Sequence, residues 1–151
     1  MIGELNQEQI ERLLRSEVVG RIGCHADGAT YVVPMTYAYD GDYVYGHSAE
    51  GRKLRMMREN PKVCFEVDRL DDMANWQSVI ADGTFEELHG EEAKQVMQFL
   101  MARYRPMLTS ETSQPSPRTS PTYRHHDGVD GQAPVVYRIF LVHVTGRFEK
   151  H

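Results

Sequence analysis

The chain is short of the features that assign a protein quickly. Its 151 residues include two cysteines, one tryptophan and no CxxC pair. That leaves no disulfide framework and no zinc-finger spacing to build on. No apolar run is long enough to span a bilayer, and Met1-Ile2-Gly3-Glu4 lacks the basic stretch and apolar core of a secretory signal. A cytoplasmic protein without a membrane partner is therefore expected. An excess of positive charge is missing too, since 17 Lys+Arg stand against 22 Asp+Glu for a formal charge of -5, with the signs interspersed. This argues against a nucleic-acid partner held by bulk electrostatics. A Walker A loop and a GxSxG elbow are both absent, and no paired carboxylates sit in an apolar setting. Cys24 and Cys64 each lie in an apolar, strand-like run, so both are expected as reduced, buried small hydrophobes.

What is present fits one globular domain over residues 1–151, with 40% apolar and 26% charged residues and length enough for a core without staples. Residues 6–15 read as an amphipathic helix with Asn6 as cap, Gln9 at the capping-box position, and Ile10, Leu13 and Leu14 in one stripe. Residues 18–25 and 30–39 read as strands about an Asp27-Gly28 turn, and Asp40-Gly41-Asp42 leads to a third strand at 42–47. These three are expected to form a meander. A helix at 50–60 stops at Pro61, strands follow at 63–67 and 76–88, then a helix at 91–104 and a last strand at 135–144. Residues 109–133, rich in Ser, Thr and Pro, are expected to be a flexible loop. Six hairpin-linked strands with peripheral helices, and no βαβ alternation, indicate a mainly β protein built as a small antiparallel barrel. The last strand is apolar on both faces, as burial against a barrel core and a second subunit would require.

The segment from Tyr43 to Lys53 carries the strongest chemical signal. It runs a strand through Gly51 into a helix whose first turn holds Arg52 and Lys53. Cations repel the positive end of a helix unless an anion sits there, so an anion site competes with a solvated basic face. A phosphate on a flavin or on pyridoxal would fit. Pro34 falls inside a strand, where it removes a ladder donor and points to an edge or a bulge. The backbone of Val33, Met35, Thr36 and Tyr37 would then be free for a ligand, although an edge proline needs none. Trp76, with Gln77 and Ser78 after it, begins a strand and suits either the core or a ligand contact. His47, at a strand end beside Ser48, is the candidate proton donor. His143 reads as an interior histidine, and His125-His126 lack a third ligand at metal spacing.

Together Gly20-Arg21-Ile22-Gly23, Val32 to Tyr37, Tyr43 to Lys53, Asn60 to Phe65 and Trp76 to Ile80 resemble the pyridoxamine 5'-phosphate oxidase-like superfamily, nearest its flavin-nucleotide-binding and nitroimidazole-reductase branch. The resemblance implies an FMN-binding split β-barrel that works as a homodimer with flavins at the interface. It also implies that Pro34, Met35, Thr36 and Tyr37 line the isoalloxazine, that His47, Ser48, Gly51, Arg52 and Lys53 hold the ribityl phosphate, and that Trp76, Gln77, Ser78 and Val79 reach the flavin near the dimer seam. The expected activity is electron transfer from NADH or NADPH to a small organic acceptor, with flavin storage or heme binding as the alternative. For heme, His125, His126 or His143 would be the axial ligand. The substrate motif of the vitamin B6 oxidase itself is not evident at the C-terminus.

Overall fold

The computed structural model describes residues 1–108 and 134–151. Helix α1 (Gln7–Ser16) begins with a capping box, in which the Gln9 backbone N–H donates to Asn6 Oδ1 at 2.9 Å and the Asn6 N–H donates to Gln9 Oε1 at 2.8 Å. Two orphan donors of the first turn are thereby satisfied. Leu13 and Leu14 face the core. Strands β2 (Val19–Ala26) and β3 (Ala29–Thr36) pair about Asp27 and Gly28, with φ of 52° and 75°. Positive φ at both central positions matches the right-handed twist of the flanking strands.

The remaining elements are β1 (Ile2–Glu4), β4 (Ala38–Tyr39), β5 (Tyr43–Ser48), α2 (Arg52–Glu59), β6 (Lys62–Asp72), β7 (Asn75–Leu88), α3 (Gly90–Tyr104) and β8 (Val135–Glu149). A 3₁₀ turn at Arg105–Leu108 follows α3. All eight strands belong to one antiparallel sheet ordered β3-β2-β6-β7-β8-β5-β4, with β1 also on β8. Pairing is not found between β3 and β4 at the two ends of that order, so the barrel stays split.

Among the described residues the count is eight strands, not six, and the physical reason lies at Tyr37. Its side chain is fully buried, its hydroxyl donates to the Leu14 carbonyl at 2.7 Å, and its N–H donates to the Val18 carbonyl at 2.9 Å. Those bonds interrupt the expected strand 30–39 and turn the chain from one sheet edge to the other. The expected meander is therefore corrected: β5 pairs with β4 and β8, not with β3. The three-residue β1 is too short to show a periodicity. β6 and β8 run five residues further than expected, to Asp72 and Glu149.

The barrel core joins Ile22, Leu54, Met57, Phe65, Val67, Val79 and Ile139, and Tyr37 meets Phe65 edge-to-face at 5.0 Å. A second cluster seats α3 through Leu88, Leu100 and Val136. The opposite face of the sheet leaves Val19, Val32, Leu70, Ile80, Phe140 and Val142 exposed. The strand register places these six on one side.

Candidate functional site

Helix α2 starts at Gly51, whose extended backbone offers no side-chain cap, and its first turn contains no acid. Glu50 precedes it, but that carboxylate is held by Arg58 at 2.7 and 2.8 Å, and Arg58 also reaches Glu87 at 2.7 Å. The Arg58 guanidinium keeps the Glu50 carboxyl below the usual range. Neutralisation of the helix start by its own neighbour is thus spent elsewhere. The Arg52 guanidinium lies 4.4 Å from the Tyr31 ring centre and the Lys53 ammonium 5.6 Å from that of Tyr137. Neither forms a salt bridge among the described residues. Burial lowers the Lys53 pKa, as expected for a half-buried cation that faces an aromatic ring and has no salt bridge among the described residues.

The strand ends beside this helix supply the rest. β3 pairs only with β2, and Pro34, opposite Arg21, needs no donor towards the free edge. Pro34 and Thr36 are exposed while Met35 is buried between them. The Tyr137 hydroxyl donates to Met35 Sδ at 3.7 Å. A Cβ at Gly46 would stand 2.8 Å from the Tyr137 ring and 2.9 Å from Met35 Cε, so only glycine allows these groups to meet. His47, half-buried opposite Val136, has its ring 6.3 Å from that of Tyr104. Ser48 Oγ donates to the Ala49 carbonyl at 2.9 Å.

Tyr37 departs from the expected pattern, because its side chain belongs to the core and its N–H is bound to Val18. Val79 likewise has a fully buried side chain. The Trp76 indole N–H donates to Glu149 at 3.0 Å. Arg52 lies over Tyr31, which is level with Cys24 and Val63, and Trp76 pairs with Leu70, seven positions along β6 from Val63. At a rise of about 3.3 Å per residue this is roughly 23 Å, so one chain does not bring Trp76, Gln77 and Ser78 to the cations.

Two other expectations are corrected. Cys64 is exposed while Cys24 is buried, because adjacent strands direct them to opposite faces. His143 is exposed, with φ of 49° where β7 and β8 slip register between Ile80 and Asp82. A bulge turns it out of the apolar run. His125, His126 and the loop at 109–133 lie outside the described residues. Tyr31, Tyr104 and Tyr137 join the site through contacts that no local sequence pattern announces. The alternation of β8 marks Tyr137 as inward-facing but says nothing of Lys53.

An open antiparallel barrel with a cationic helix start beside its strand ends is the class of protein this structure defines. The family model for pyridoxamine 5'-phosphate oxidase matches residues 6–148, and the chain belongs to that family. A FAD-binding protein from Mesorhizobium loti is similar at 28% identity over 99% of both chains, with a TM-score of 0.77. The FAD and heme binding protein from Mycobacterium smegmatis shares the fold at 15% identity and a TM-score of 0.70, over 97% of this chain and 72% of that one. An uncharacterised protein of Rhizobium meliloti is 32% identical over 84 residues, and the match spans 56% of each protein. Among the described residues no helix is long and apolar enough to cross a membrane.

Proposed function

We propose that this protein is a homodimeric FMN-dependent oxidoreductase that passes electrons from a reduced nicotinamide to a small organic acceptor. The observation that carries this is the acid-free start of α2, where Arg52 and Lys53 lack a carboxylate partner among the described residues. A flavin phosphate supplies the missing charge, through charge-assisted bonds of about 1.5–3 kcal/mol each. The likeness to a protein described as FAD-binding supports a flavin.

When bound, the flavin supplies the hydride and electron chemistry. Arg52, Lys53, Ser48 and the Gly51 backbone anchor its phosphate, the segment from Pro34 to Thr36 borders the ring, and His47 holds a proton near it. The exposed apolar residues from Val19 to Val142 on one sheet face support a dimer. In that dimer Trp76 of the partner subunit, with Gln77 and Ser78 of the partner subunit, completes the site that one chain leaves open.

A visible spectrum of the purified protein, followed by titration with FMN, FAD and riboflavin, tests this. Bound flavin that NADH or NADPH reduces is the expected result. Arg52→Glu is expected to weaken FMN at least tenfold while leaving riboflavin unchanged. A colourless protein whose added FMN shows no spectral change overturns the proposal.

A further inference from the structure

Tyr104 is the last residue of α3, a helix that otherwise serves to cover the sheet through Leu100 and its neighbours. Its hydroxyl is buried and, among the described residues, its proton is donated to no acceptor at normal hydrogen-bond length and angle, while Thr36 stands only as a weak donor towards the phenol oxygen. Buried hydroxyls are nearly always bonded, and an unmade bond leaves the desolvation cost uncompensated. The surroundings of this one are specific. The ring packs 6.3 Å from that of His47, and the hydroxyl lies near the Thr36 side chain and the Tyr137 phenol. Tyr137 in turn carries Lys53 over its ring and donates to Met35. Tyr104 therefore stands where β3, β5 and β8 present Met35, Thr36, His47 and Tyr137. Burial raises its pKa, so the phenol keeps its proton and is available as a donor.

We propose that Tyr104 is a flavin-binding residue, whose hydroxyl donates a hydrogen bond to a polar atom of the isoalloxazine held between Thr36 and His47. The assignment rests on the flavin proposed above and adds α3 to the elements that build the site. It concerns the ring and not the phosphate, which separates it from Arg52 and Lys53. The ligand satisfies a donor that the protein itself leaves unmatched, so the hydroxyl costs stability in the free protein and returns affinity in the complex.

The test is Tyr104→Phe in the full-length protein, which removes one oxygen and preserves the ring packing. Titration with riboflavin and with FMN is expected to show affinity about tenfold weaker for both ligands. The ligand-free variant is expected to melt at or above the wild-type temperature. Arg52→Glu, measured alongside, weakens FMN and spares riboflavin, so ring and phosphate effects are distinguished. Unchanged riboflavin affinity in Tyr104→Phe overturns the proposal, as does a loss confined to FMN. A lower melting temperature of the ligand-free variant identifies a structural hydroxyl and also overturns it. Wild-type protein that binds neither ligand removes the flavin assignment together with this one.

Discussion

The Lys53 ammonium rests 5.6 Å from the centre of the Tyr137 ring, a half-buried cation facing an aromatic surface in place of a carboxylate. Among the described residues its charge has no acidic counterpart in a salt bridge. The helix that carries it is short and begins with repulsion, so an incoming anion relieves two unfavourable terms together.

Lys53→Met is expected to stabilise the ligand-free protein and to weaken FMN about tenfold or more. The pH dependence follows from the sign of the shift. Burial lowers the folded-state pKa of Lys53, so the unfolded chain holds this proton more tightly and stability rises with pH between the folded and unfolded values. Phosphate favours the charged form, so FMN affinity falls as pH rises through the lowered pKa. Titrations across alkaline pH check this, and a pH profile identical in Lys53→Met contradicts it.

Gly46→Ala tests the close approach of β5 to Tyr137 and Met35. The added methyl meets both below 3 Å, and neither ring nor thioether has free space in the buried cluster. A loss of about 1–3 kcal/mol is expected, seen as a melting temperature several degrees lower. Weaker flavin binding should accompany it, since Met35 borders the proposed ring site.

Glu66 provides a second pH test, away from the cations. Burial and the neighbouring Asp68 lift its carboxyl to about 7, against a smaller opposing pull from Arg21 at 3.5 Å. The folded state therefore binds this proton more tightly than the unfolded chain. Its contribution is present at acid pH and is lost as pH rises from the ordinary carboxylate value to about 7. Glu66→Gln is expected to match wild type near pH 5 and to exceed its stability at pH 8 by on the order of 1 kcal/mol, allowing for partial solvent screening. Denaturant melts at the two pH values check the difference.

Ile80→Glu tests the apolar face. Ile80 is 49% exposed, and Val142 and Phe140 lie on the same side of the sheet. A charge there should halve the mass seen by sedimentation while preserving the fold of the chain. Quenching of the single tryptophan, Trp76, by bound FMN should be lost as well, because the proposed contact comes from the other protomer. A variant that stays dimeric contradicts the assignment of this face.

The local elements were legible where one short pattern carries its own physics. Asn6 and Gln9 cap a helix through bonds three residues apart, and Asp27-Gly28 turns a hairpin through two positive φ values. The cations at the start of α2 were equally plain, because the helix dipole acts within one turn. Tyr37 was not, since its bonds to Leu14 and Val18 join residues 23 and 19 positions apart. His143 misled because a bulge reverses the inward and outward alternation, and a bulge depends on the register of the opposing strand.

Sequence alone determined the mainly antiparallel sheet, the covering helices and a helix start that lacks its counter-charge, for these follow from periodicity, turn residues and charges a few positions apart. Tertiary structure alone decided that β3 and β4 stay unpaired, that Lys53 lies on Tyr137, that Tyr104 meets His47, and that Trp76 stands far from the cations within one chain. Those relationships are set by strand order and register. Both are fixed by how the whole set of apolar faces packs at once, and no local stretch of sequence contains that information.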